Sequence, residues 1–156
     1  MNTRMGVLWG AVLLALSWGM GVPGEVQAVD ADKVNVEAFA MWNAAMAKGD
    51  FDKAASFFAE NGVRIHPVAG EIKGRKAMRD FFAGLDKDWA DQHCTVTWHT
   101  GNGNRAAAAF YWEAKQRSSG KAVKLPIVLI TEWDEKGKQT WSHEYFDTGA
   151  FAKQLE

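Results

Sequence analysis

Apolar side chains recur at spacings of three and four through residues 32–89, and from residue 93 onward the period drops to two. Phe39, Trp42 and Met46 mark one face of a helix over 32–48, with Asp32 as its N-cap and Gly49 as its stop. Asp50 can cap a second helix over 51–59, which turns Ala54, Phe57 and Phe58 inward and breaks at Asn61 and Gly62. A brief strand over 63–66 carries His66 before Pro67 withdraws a backbone donor. Gly74 precedes a third helix whose apolar stripe is Met78, Phe81, Phe82 and Leu85, while Lys76, Arg79 and Asp80 face solvent. Trp89 then closes the helical layer against a sheet.

In the second half Cys94, Val96 and Trp98 alternate with His93, Thr95, Thr97 and His99. A Gly- and Asn-rich turn at 101–104 follows, and three more strands are expected over 106–116, 122–133 and 139–151. Pro126 requires an edge position or a bulge in its strand. Four long strands at hairpin spacing predict an α+β fold: a curved antiparallel sheet covered by the three N-terminal helices, conical in form and enclosing a pocket.

The ends change the picture. Arg4, an apolar run from Met5 to about Gly21, and small residues up to Ala28 read as a secretory signal peptide occupying residues 1–28. Cleavage there leaves residues 29–156 as a single domain, large enough for its own core, and predicts a periplasmic or secreted protein. No second stretch is apolar enough to span a bilayer, so the mature protein is not expected to cross a membrane. One basic and one acidic residue leave with the leader, so the net charge stays at −1, and no basic stripe offers a surface to nucleic acid. Cys94 is the single cysteine and reads as a buried, inert thiol. Six of the eight tryptophans fall after residue 28, enough to line a cavity as well as fill a core.

The stretch FFAENGVRIHPVAGEIKGRKAMRDFF over 57–82 and the later TEWDEKGKQTWSHEYFD resemble the SnoaL-like and ketosteroid-isomerase-like proteins of the nuclear transport factor 2-like superfamily. The pieces occur in the family's order: Gly49-Asp50 between helices, the His66-Pro67 turn, Gly74 before the third helix, and WDEKG before the last strand. The resemblance implies that His66 stands where a ketosteroid isomerase has its aspartate base. It also puts Trp42 where that enzyme has its oxyanion-binding tyrosine, and Leu129 where it has a second acidic donor. Ordinary ketosteroid isomerisation is therefore not expected. An imidazole at the base position can still move protons near neutral pH.

With the resemblance and two-residue alternation together, Phe110, Trp112, Thr131, Ser142, Glu144 and Phe146 are expected to face the pocket with Trp42. His66 and Glu144 would then approach across it as a catalytic pair, the histidine as base and the carboxylate as its orienter or complementary acid. Trp42, Phe110, Trp112 and Phe146 would supply the walls for an apolar or aromatic small molecule, and Thr131 and Ser142 would orient its polar atoms. Three readings of His66 stay open: proton transfer, ligand orientation, and a structural hydrogen bond at the turn. The histidines show no compact metal-ligand spacing, and neither a metal nor a cofactor is expected. Trp141, His143, Tyr145 and Asp147 alternate onto the opposite, convex face, which suits a homodimer. Cofactor-independent proton transfer or water activation and noncatalytic small-molecule or protein binding are the competing functions.

Overall fold

The computed structural model describes residues 29–156; the expected signal peptide lies outside them. Three helices and two strands come first: α1 (Ala31–Met46), α2 (Phe51–Ala55), β1 (Phe58–His66), β2 (Gly70–Lys73) and α3 (Arg75–Asp88). The long strands β3 (Trp89–Asn102), β4 (Arg105–Gln116), β5 (Ala122–Trp133) and β6 (Gln139–Tyr145) follow, and α4 (Thr148–Lys153) ends the order. The α+β class stands, but the expected curved, purely antiparallel and conical sheet does not. The described strands form one open sheet in the order β2-β1-β6-β5-β4-β3, neither closed nor strongly curled. It is mixed, because β1 runs parallel to β6. A fourth helix joins the three that were expected.

Local chemistry explains where the boundaries moved. Asp30, not Asp32, caps α1 by accepting from the Lys33 amide at 3.2 Å, while Asp32 sits in the first turn and meets His99 Nδ1 at 2.7 Å. Asp50 caps α2 as expected. That helix stops at Ala55, and Phe58 already belongs to β1, which continues past Asn61 and Gly62 with a shift of register against β6 between Phe58 and Val63. Gly62 is required there by contact rather than by a turn: a Cβ at that position would stand 2.8 Å from the Gln139 carbonyl oxygen on β6. The fourth long strand is shorter than expected because Asp147 accepts from the Ala150 amide and opens α4, which folds Phe151 back against Trp89 and Trp112.

Alternation holds along β4 and β5, where Ala106, Ala108, Phe110, Trp112 and Ala114 face the same core as Val123, Leu125, Ile127, Leu129, Thr131 and Trp133. Pro126 meets the edge requirement locally. Strand β5 is interior, but its pairing with β6 begins only at Val128, so the proline lies beyond the end of that neighbour. In β3 the alternation breaks: Val96 pairs with Phe110 but Trp98 pairs with Ala109, so Thr97 is an extra residue. That bulge moves Trp98 to the outer face, 54% exposed, instead of continuing the inward row of Cys94 and Val96.

Candidate functional site

Helices α1 and α3 and the inner face of the sheet leave a cavity of about 240 Å3 between them. Its walls are largely aromatic. Phe39 packs on Phe110 at 4.7 Å, Trp42 meets Phe82 edge-on at 6.0 Å, and Trp89 meets Trp112 at 5.1 Å. Of the residues expected at the site, Trp42, His66, Phe110, Trp112, Glu144 and Phe146 line this cavity. Phe146 does so from just beyond the end of β6 rather than from the strand. Thr131 and Ser142 are fully buried on the inner face but lie behind the lining. The Thr131 hydroxyl accepts from Trp133 Nε1 at 2.8 Å and lies 3.2 Å from the Ala106 carbonyl oxygen, so it braces the wall.

The polar cluster at one end contains a residue that sequence reading missed. Arg64 pairs across the parallel β1–β6 seam with Ser142, and its guanidinium donates to Glu144 Oε2. The parallel register turns Arg64 and His66 inward, while Val63 and Ile65 oppose the outward residues Trp141 and His143. A strand with charge inside and aliphatics outside inverts the usual pattern, so hydrophobicity gave no warning. Alternation from His66 was the available signal.

His66 Nδ1 accepts the amide hydrogens of Val68 at 3.1 Å and Ala69 at 3.0 Å, which leaves the neutral ring's proton on Nε2. That Nε2 lies 4.0 Å from Glu144 Oε1, too far for a direct hydrogen bond. Phe81 and Phe146 hold the ring edge-on from two sides. Burial lowers the His66 pKa below its ordinary 6.5, and Arg64 adds to the effect against the opposing pull of Glu144. Burial likewise pushes the Cys94 thiol well up, so it is an inert wall atom. Among the described residues no group of acidic, histidine or cysteine side chains is arranged to hold a metal.

The lowered His66 pKa makes stability depend on pH with a definite sign. The unfolded chain takes up a proton at this ring before the folded one does, so the contribution is fully present above about pH 6.5 and is lost as pH falls from there toward the folded-state value. Chemical denaturation of the wild type and His66→Asn, which keeps an acceptor for the turn amides, should diverge on acidification. The wild type should lose up to about 1.4 kcal/mol more per pH unit inside that window. A pH-independent difference between them would mean that the folded protein binds the proton as readily as the unfolded chain.

A cavity with apolar walls and one charged end on an α-helix-covered sheet is the setting into which the comparisons fit. The SnoaL-like domain family model matches residues 39–141, more than half of the sequence. The chain belongs to the SnoaL-like family. Solved relatives extend the likeness of this SnoaL-like protein across its fold. One is a protein with a ketosteroid-isomerase-like fold from Catenulispora acidiphila DSM 44928, solved in complex with trimethylamine; at 17% identity the match covers 76% of this chain and 91% of that one, with a TM-score of 0.68. An NTF2-like protein of unknown function from Burkholderia pseudomallei K96243 matches at 15% identity, covering 78% and 97%, with a TM-score of 0.67. TerC, co-crystallised with polyporic acid, matches at 20% identity, covering 78% and 98%, also at 0.67. At these identities the likeness establishes the fold alone. Curated proteins include no significant sequence match.

Proposed function

We propose that this SnoaL-like protein binds an apolar small molecule whose hydrogen-bonding group sits against Arg64, His66 and Glu144. The observation that carries the reading is the cavity itself: about 240 Å3, walled by aromatic rings, with a charged pair and a neutral imidazole converging at one end. That volume suits a molecule of one or two rings. The trimethylamine and polyporic acid complexes of the Catenulispora protein and TerC are in keeping with small-molecule binding on this fold.

A second reading, proton transfer, draws support from Glu144 Oε1 and His66 Nε2 bordering the same space. In it the roles suggested by the sequence are exchanged. Nδ1 is occupied by the turn and Nε2 carries hydrogen, so His66 is the donor and the free oxygen of Glu144 is the acceptor. Titrating the protein with 2-tetralone in D2O addresses both readings, with tryptophan fluorescence for binding and proton NMR for deuterium entering the activated methylene. Binding without accelerated exchange is the result expected of a binding protein. Exchange that Glu144→Gln abolishes would move the assignment to an enzyme, and an unresponsive protein would sink both.

Two further proposals come from the sequence. Residues 1–28 would direct the chain to the periplasm or outside the cell and be removed. The outer face of the sheet would pair two copies of the chain, a reading supported by the exposure of Trp98, Val128, Ile130 and Tyr145 there.

A further inference from the structure

Besides its charged end, the cavity has a second set of buried polar residues. Asn35 on α1 and Gln139 at the start of β6 both line it, and each is 1% exposed. Asn35 Nδ2 and Gln139 Oε1 have no partner in the protein, although neither is open to bulk solvent. An unpaired buried amide atom costs roughly 1–3 kcal/mol, so two on residues that line one cavity call for an occupant. The Asn35 amide can be set either way round, since its oxygen lies 3.3 Å from a Thr131 hydroxyl that could equally accept from the amide nitrogen. In either setting one polar atom of the amide is left without a protein partner. Gln139 is placed by backbone: its amide donates to the Phe57 carbonyl at 2.8 Å, and it stands across from Trp133 in the β5–β6 ladder.

Register gives the spacing of the two ends. Glu144 lies opposite Leu129 and Gln139 opposite Trp133, four residues along β5 or about 13 Å at 3.3 Å per residue. The rest of the lining includes Trp42, Phe57, Phe82 and Leu129, none of which offers an anionic or cationic group.

We propose that Asn35 and Gln139 form a second polar subsite, and that the ligand is an elongated, largely apolar molecule with a hydroxyl at the end opposite Glu144. A hydroxyl both donates and accepts, so it satisfies an amide oxygen and an amide nitrogen together; an ether or a ketone can only accept. The subsite rests on the reading of the cavity as a small-molecule site and narrows its ligand to molecules polar at both ends.

Calorimetric titration of the full chain with 4-hydroxybiphenyl, 4,4′-dihydroxybiphenyl and 4-hydroxy-4′-methoxybiphenyl separates the two claims. The second hydroxyl should tighten binding about tenfold over the single one, the worth of one good hydrogen bond, and the methoxy compound, which accepts but cannot donate, should keep only part of that gain. Gln139→Leu should bring the dihydroxy compound down toward the affinity of 4-hydroxybiphenyl, and an unchanged near-UV circular dichroism spectrum certifies that the variant is folded. Should Gln139→Leu not fold, the three wild-type affinities decide alone. Normal binding of 4-hydroxybiphenyl with no gain from the second hydroxyl would overturn the subsite and spare the cavity reading. Failure of all three probes to bind would overturn both.

Discussion

Replacing Arg64 by Met should lower the unfolding free energy by about 3–5 kcal/mol, the cost of stranding a buried charge. The Glu144 side chain is 4% exposed and that of Arg64 13%, so bulk water does not replace the guanidinium when it is removed. Methionine keeps most of the aliphatic stem, so the loss reports the missing charge rather than missing volume. For a domain of this size the change corresponds to a melting temperature lower by about 10 °C or more. Adding Glu144→Leu to Arg64→Met should restore most of the lost stability, because a pair replaced by apolar groups leaves nothing unpaired. A shift of only a degree or two in the single variant would show that the carboxylate is hydrated. It would then be no fixed, desolvated acceptor for a ligand. The same pair governs the site's chemistry: Arg64 occupies Oε2 and leaves Oε1 as the oxygen turned toward His66.

That pair also marks how far the sequence could be read. Strands β4 and β5 were legible because each is a long run rich in apolar and aromatic residues, bounded by Gly-containing turns, in which Phe110, Trp112, Leu125 and Leu129 fall on alternate positions. With the family resemblance added, Phe110 and Trp112 on β4 and Glu144 on β6 could be placed on the inner face before any coordinates. The β1–β6 pairing was not legible. A four-residue strand signal carries no direction, and a parallel seam between distant segments leaves no turn signature. Arg64 was missed with it, since a charged residue between Val63 and Ile65 reads as the solvent side of a strand. Asn35 was missed for a related reason: an amide on the buried face of α1 interrupts the apolar stripe instead of extending it. Pattern reading finds the walls of such a cavity and passes over the polar groups that give it chemistry.

Trp98 follows the same logic on the other side of the sheet, and it bears on the assembly. Two-residue alternation places this ring inside, and the extra residue at Thr97 turns it out, into register with Ala109, Val128 and Tyr145. The neighbouring row holds Ala107, Ile130 and His143, whose ring stacks on Tyr145 at 4.1 Å. Ion pairs bound this apolar field, Arg105 with Glu132 at 2.7 Å and Glu113 with Lys124 at 3.0 Å, so the face has an apolar centre and a charged rim. If a second copy covers it about a two-fold axis, lysines introduced at the centre of the patch are brought near their own symmetry mates and lose their water. Val128→Lys with Ile130→Lys should therefore convert a dimer to a monomer in sedimentation equilibrium. A buried unpaired charge at an interface costs about 2–5 kcal/mol, which weakens association by some thirtyfold or more. Val128 and Ile130 are 43% and 37% exposed in the single chain, so the monomer's circular dichroism and cavity binding should be unchanged. A wild type that sediments as a monomer at high micromolar concentration would remove the self-association reading. The exposed Trp98 row would then have to be covered by a different protein.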